Sequence, residues 1–168
     1  MELTFEIIIL SVLIALSGFF SGLEVALVGV TRSKVHQMLS KKLPGANSLH
    51  KLKSNPSRMM ASVNLGNNLV NVASTALATD IALKIFENNG LAIVIGAMTF
   101  LILVFGEITP KTYCNANAAK IALRYSRVLL AFSYTFYPVV WIFEQITKGI
   151  IKLTGSSQEP PRLTEEEI

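Results

Sequence analysis

The chain has 168 residues, 51% of them hydrophobic and 15% charged, with a mean hydropathy of +0.50, where an ordinary soluble domain carries about 25% charged residues. Those figures exclude a disordered chain, argue against a soluble globular one, and at this length favour a single domain. A lone cysteine, Cys114, excludes an internal disulfide and a cysteine zinc cluster, while the net charge of +4 points to nucleic acid, an acidic partner or the anionic inner face of a membrane.

Ile7 to Val30 has Glu24 as its only charge and is long enough, at about 1.5 Å per residue, to cross roughly 30 Å of hydrocarbon. It reads as a first span. A cleaved leader fits poorly, because Glu2 and Glu6 precede it where a signal peptide carries Lys or Arg. Met59 to Thr79 and Asn88 to Gly106 are uncharged and qualify as second and third spans. Between the first two lie Arg32, Lys34, Lys41, Lys42, Lys51, Lys53 and Arg58 without one Asp or Glu, which places this loop in the cytoplasm. The N-terminus is then outside, the turn at Glu87–Gly90 is external, and Lys111, Lys120, Arg124 and Arg127 bring the end of the third span back inside. No aromatics interleave the basic loop, so a nucleic-acid patch is the poorer explanation. Two short surface helices, Thr31–Leu39 and Ala46–Leu52, are expected on either side of Pro44-Gly45.

Val128 to Phe143 is short for a crossing, is interrupted by Pro138, and is crowded with Phe132, Tyr134, Phe136, Tyr137, Trp141 and Phe143. Such aromatics favour the interface, and a kinked helix along the inner leaflet keeps Lys148 and Lys152 at cytoplasmic headgroups, where a fourth crossing would expel them. The expected fold is an all-α multi-pass integral membrane protein of the cell membrane. Residues 1–154 form its transmembrane domain, with three transmembrane helices at about 5–30, 59–85 and 90–108, a cytoplasmic helical loop at 31–58, and a Pro-kinked juxtamembrane belt helix at about 115–153. Residues 155–168 read as a linker with a capping signal at Thr164, ending where a second, cytoplasmic domain would begin.

Polar groups inside spans cost free energy unless they face a partner or a water-filled cavity. On the first span, Ser17, Ser21 and Glu24 share one helical face, beside Gly18 and Gly22. On the second, Asn64, Asn67, Asn68 and Asn71 recur at i, i+3, i+4 and i+7, near Ser62 and Gly66. The third ends in Gly106-Glu107-Ile108-Thr109-Pro110-Lys111, where Pro110 is expected to break the helix and free carbonyls near Gly106 and Glu107. Counted from the cytoplasmic ends, Ser21 and Asn67 share a level roughly 13 Å deep, with Glu107 within reach. Oxygens alone, with no His or Cys in the spans, suit a hard cation such as magnesium, calcium or sodium. The plainer alternative is that Ser and Asn glue helices together; Asn68, at the stripe's margin, and Glu24, near the lipid boundary, suit that alternative best.

Ser17-Gly-Phe-Phe-Ser-Gly-Leu-Glu, Asn64-Leu-Gly-Asn-Asn-Leu-Val-Asn and Gly106-Glu-Ile-Thr-Pro-Lys together resemble the transmembrane domain of the CorC and cyclin M (CNNM) magnesium transporters, in order and spacing along the whole chain. The resemblance implies a homodimer of three-span subunits with paired short cytoplasmic helices and a belt helix, followed by a nucleotide-binding CBS domain. It also implies Mg2+ export in exchange for Na+. Ser21, Asn67 and Glu107 fall on the family's ligand positions, with Gly66, Asn71 and Gly106 where further oxygens are expected. A non-transporting membrane anchor for the regulatory domain and a transporter of another hard cation are the rivals. An enzyme comes last, since no metalloprotease His pair, phosphate loop or nucleophile elbow occurs and His36 and His50 sit in the basic loop.

Overall fold

A chain with this little charge satisfies its backbone within itself, and every described element is a helix. The computed structural model describes residues 2–85 and 91–153. In order they are α1 (Glu2–Gly29), α2 (Arg32–Ser40), α3 (Ala46–Ser54), α4 (Pro56–Ile85) and α5 (Leu91–Leu101). A π-helical segment (Ile102–Ile108), α6 (Thr109–Ala116), α7 (Ala118–Thr135) and α8 (Tyr137–Leu153) complete the series. The expected turn at Glu87–Gly90 and the linker with Thr164 lie outside the described residues.

Local signals set the short helices. Thr31 caps α2 by accepting the Lys34 N–H at 3.2 Å. The hairpin between α2 and α3 turns through Gly45 at φ +92°, where a Cβ would strike the Leu123 carbonyl of α7, so both backbone angle and space require glycine. Asn55 accepts the Arg58 N–H at 3.1 Å and caps α4, whose first residue is Pro56. Val35, Met38, Leu49 and Leu52 of this hairpin bury themselves against Leu23, Leu27 and Val30 of α1, Val63 of α4 and Leu129 of α7.

α1 is the central element, packed against α4, the π segment, α6 and α7. Ser17 meets Asn71, the Phe20 ring fills the space where a Cβ of Gly66 would be, and Glu6 pairs with Lys84 at 2.5 Å. These three contacts fix α1 and α4 as antiparallel, in a register that brings Ser21 level with Asn67. On its other side α1 carries Gly18 and Gly22, one turn apart. A Cβ on Gly18 would lie 2.9 Å from Pro110 Cγ, and one on Gly22 would lie 2.5 Å from Cys114 Sγ. The small residues let the continuous run of α5, the π segment and α6, hereafter the third helix, pass parallel to α1 at close backbone approach.

Hydropathy and length qualify Leu3–Gly29 and Ile95–Ala116 as membrane spans. α4 is as long as α1 and packs antiparallel on it, but its asparagines lower its apolar character and it does not qualify by hydropathy. Phe5, Ile8 and Val12 of α1, Leu69 and Val72 of α4, and Phe100 and Phe105 of the third helix are exposed, an outward face that suits lipid or another apolar partner. The third helix also corrects an expectation. Pro110 does not break it: Leu101, Ile108 and Thr109 all keep right-handed helical angles. The helix widens to the π form over Ile102–Ile108 instead, with the Thr109 N–H bonded to the Val104 carbonyl, and Pro110 sits in the first turn of α6. Widening absorbs the missing N–H without ending the helix.

The segment expected to form a belt is two helices, α7 and α8, bent by 87°. The turn falls at Phe136, whose N–H bonds to the Phe132 carbonyl. Pro138 lies just inside α8, where it lacks no helical partner, so it follows the bend rather than causing a kink. Arg58 pins the corner, donating from Nε to Ser133 Oγ at 3.2 Å and lying 5.0 and 4.6 Å from the Tyr134 and Tyr137 ring centres. Buried Glu144 accepts from Lys148 Nζ at 2.7 Å and from Asn55 Nδ2 at 3.5 Å.

Gly22→Ala is expected to cost about 1–3 kcal/mol by overpacking, read as a lowered unfolding midpoint in detergent. Cys114→Ala on that background recovers most of the loss. Gly96→Ala, with nothing within 4 Å of its Cβ, leaves the midpoint unchanged or slightly raised. Equal losses at Gly22 and Gly96 would contradict the close approach.

Candidate cation site

The polar faces of α1, α4 and the third helix meet on the inner side of α1. Ser17 and Ser21 are fully buried there, and Gly106 is buried opposite Ser17. Ser17 Oγ donates to Asn71 Oδ1 at 2.5 Å and lies 3.4 Å from the Gly106 carbonyl. That carbonyl is the one an α-helix would bond to the N–H of residue 110, which proline lacks. One hydroxyl thus ties all three helices together, and in this role Ser17 and Asn71 are helix-pairing groups.

One turn along, the pattern differs. Ser21 Oγ and Asn67 Oδ1 are both buried, and neither has a hydrogen-bond partner. Buried polar atoms are almost always paired, because leaving one unpaired costs about 1–3 kcal/mol. These two oxygens sit at the same level of two adjoining helices, given the α1–α4 register. Glu107, half-buried, follows Gly106 on the third helix, where the Gly106 carbonyl lies against Ser17. Among the described residues no three of His, Cys, Asp or Glu come together, so a cation here would rest on neutral oxygens and a carboxylate.

The other candidates separate from this centre. The four asparagines do not act as one stripe: Asn67 and Asn71 are half-buried toward α1, whereas Asn64 and Asn68 are exposed and line a groove of about 700 Å³ between α4 and α8, with Phe143 and Thr147. At about 100° per residue the set spans a wide arc, and its two edges face different neighbours. Gly66 lies under the Phe20 ring within unbroken α4, where its smallness serves packing. Glu24 is 3.9 Å from Lys111 Nζ, a loose ion pair between α1 and α6. Two contributors went unmarked in the sequence reading. Phe20 sets the α1–α4 register through Gly66, and the π segment re-aims Gly106 and Glu107; the Gly-x-x-x-Pro spacing of Gly106 and Pro110 was its available signal.

Fold and site together define an all-helical membrane domain with a polar, oxygen-lined interior. The family model described as the cyclin M transmembrane N-terminal domain (CNNM) matches residues 8–168, and the chain belongs to that family. It is similar to a UPF0053 protein of Haemophilus influenzae, 34% identical over 88% of this chain and 35% of the relative. It is also similar to the UPF0053 inner membrane protein YfjD of Escherichia coli, 33% identical over 83% of this chain and 33% of the relative. A chloroplastic DUF21 domain-containing protein of Arabidopsis thaliana is 35% identical over 96% of this chain and 25% of the relative. The chain spans about a third or less of these relatives' lengths.

In metal-free buffer, Ser17→Ala is expected to cost about 1 kcal/mol of stability and Ser21→Ala to be neutral or stabilising, because only the first removes a made hydrogen bond. Unfolding midpoints in detergent with chelator check this; an equal loss from both would contradict the contrast.

Proposed function

We propose that this chain is the membrane domain of a magnesium transporter, with Ser21, Asn67 and Glu107 holding a largely dehydrated cation reached from the cytoplasm. The observation that supports it most is the pair of buried, unpartnered oxygens, Ser21 Oγ and Asn67 Oδ1, at one level of the α1–α4 contact. A hard cation satisfies both, since magnesium takes oxygen ligands and compact octahedral geometry. Glu107 supplies negative charge, and Gly106 and Asn71 offer further oxygens near it. Neutral ligands with one carboxylate make a site that releases its ion, as turnover requires.

Family membership supports the remainder of this reading: Mg2+ export coupled to Na+, a homodimer, and control by a cytoplasmic CBS domain. The role is transport rather than catalysis. The orientation, N-terminus outside with the basic loop and C-terminus in the cytoplasm, rests on the distribution of Lys and Arg. The bent α7–α8 pair then lies along the inner leaflet, where aromatic and basic residues are both favoured.

Calorimetric Mg2+ titration of the purified chain in detergent, with Mg2+ flux in liposomes, tests the proposal. Glu107→Ala and Asn67→Ala are each expected to weaken binding at least about tenfold, equivalent to about 1.4 kcal/mol, and to slow flux. Unchanged affinity in both variants, with altered stability alone, would favour a membrane anchor instead. Tighter binding of Ca2+ than of Mg2+ would favour another cargo.

A further inference from the structure

The hairpin of α2 and α3 builds a second polar site, outside the spans and independent of the cation reading. His36 and His50 face each other with ring centres 5.6 Å apart. Arg32 lies one turn before His36 on α2, and Lys53 and Ser54 lie one turn after His50 on α3. With Val35 these side chains line a cavity of about 120 Å³, far above the roughly 10–15 Å³ that one water needs. No carboxylate lines it, and neither α2, α3 nor α7, which packs on α3, carries an Asp or Glu.

Three cations elsewhere are paired: Lys84 with Glu6 and Asp80, Lys111 with Glu24 and Lys148 with Glu144. Among the described residues neither Arg32 nor Lys53 has a carboxylate partner. Burial, and then repulsion from Arg32, push the Lys53 ammonium below the ordinary lysine range. The first turn of α2 adds the positive end of its dipole at Arg32. Positive groups that converge on a cavity without a counter-charge repel one another, and an anion between them relieves that cost.

We propose that this cavity binds a phosphate-class oxyanion, carried by a lipid headgroup or by a soluble phosphorylated compound. Arg32 presents a planar fork of N–H donors that matches two phosphate oxygens, Lys53 adds a mobile point charge, and the imidazoles supply ring N–H donors from both sides. The Ser54 hydroxyl donates its one proton to the His50 carbonyl at 2.8 Å and so lines the edge without serving as a donor to the anion. A phosphate dianion carries twice the charge of a carboxylate or chloride and spreads it over tetrahedrally placed oxygens, so it can take the Arg32 fork and donors on other sides together. Val35 belongs to the core beneath α1, so an anion that draws α2 and α3 together also firms the floor on which α1 stands.

The chain has two histidines, so ring-labelled histidine gives two NMR reporters, both in the cavity. In neutral detergent at fixed pH and ionic strength, inorganic phosphate is expected to shift both signals saturably, and sodium chloride is not. Arg32→Gln and Lys53→Gln each weaken the response at least about tenfold, while Lys41→Gln, exposed and outside the cavity, changes it less than about twofold. A second arm places the chain, in buffer without inorganic phosphate, in nanodiscs of phosphatidylcholine alone or of an equimolar mixture with phosphatidic acid. The same shifts in the mixed discs assign the lipid headgroup, and shifts with soluble phosphate alone assign a soluble compound. Absence of saturable shifts in both arms, an equal response to chloride, or equal weakening by Lys41→Gln would overturn the proposal. Dispersed, unaltered methyl signals in each variant report that it is folded.

Discussion

The architecture depends on how closely two helices approach α1. Gly18 and Gly22 on one side, and Gly66 beneath the Phe20 ring on the other, remove the side chains that would hold backbones apart. In lipid the hydrophobic effect does not drive helices together, so close van der Waals contact and a few hydrogen bonds carry the association. The small residues therefore decide which helices touch, and in what register. Because the register is fixed at Ser17–Asn71, Phe20–Gly66 and Glu6–Lys84, the polar residues between them have fixed depths and fixed neighbours.

Within that frame the polar interior divides into two roles. Ser17, Asn71 and the Gly106 carbonyl satisfy one another and hold three helices. Ser21 and Asn67, one turn nearer the basic hairpin, satisfy nothing within the protein. A domain that only had to hold together would lose nothing by replacing these two with apolar side chains of like size. Two buried, unpaired oxygens at this level suit binding an ion better than holding helices together. The π segment fits the same logic, since widened helical turns cluster at functional sites and re-aim the residues they carry.

Much of this was legible in the sequence because lipid makes strong demands. Uninterrupted apolar runs, a basic loop free of acids, Pro44-Gly45 and the Thr31 cap placed α1, the α2–α3 hairpin and the start of α4 within a few residues. Counting residues from the loop put Ser21 and Asn67 at one level, which the antiparallel register bears out. What failed turned on geometry that residue spacing does not carry. Pro110 read as a break, because a proline's missing N–H has two remedies and the sequence does not choose between ending a helix and widening it. The asparagines read as one stripe, although an arc that wide touches two neighbours, so Asn64 and Asn68 face α8 instead. His36 and His50 lie far apart along the chain, and only the hairpin's closure brings their rings together.

The proposed transport role requires a cation held between α1, α4 and the third helix. Diffraction from crystals soaked in Mn2+, which prefers octahedral oxygen ligands as magnesium does and can be located by its anomalous signal, tests it most directly. The prediction is one peak within coordination distance of Ser21 Oγ, Asn67 Oδ1 and the Glu107 carboxylate. A cation bound elsewhere, with those three side chains turned away from any common point, would contradict it.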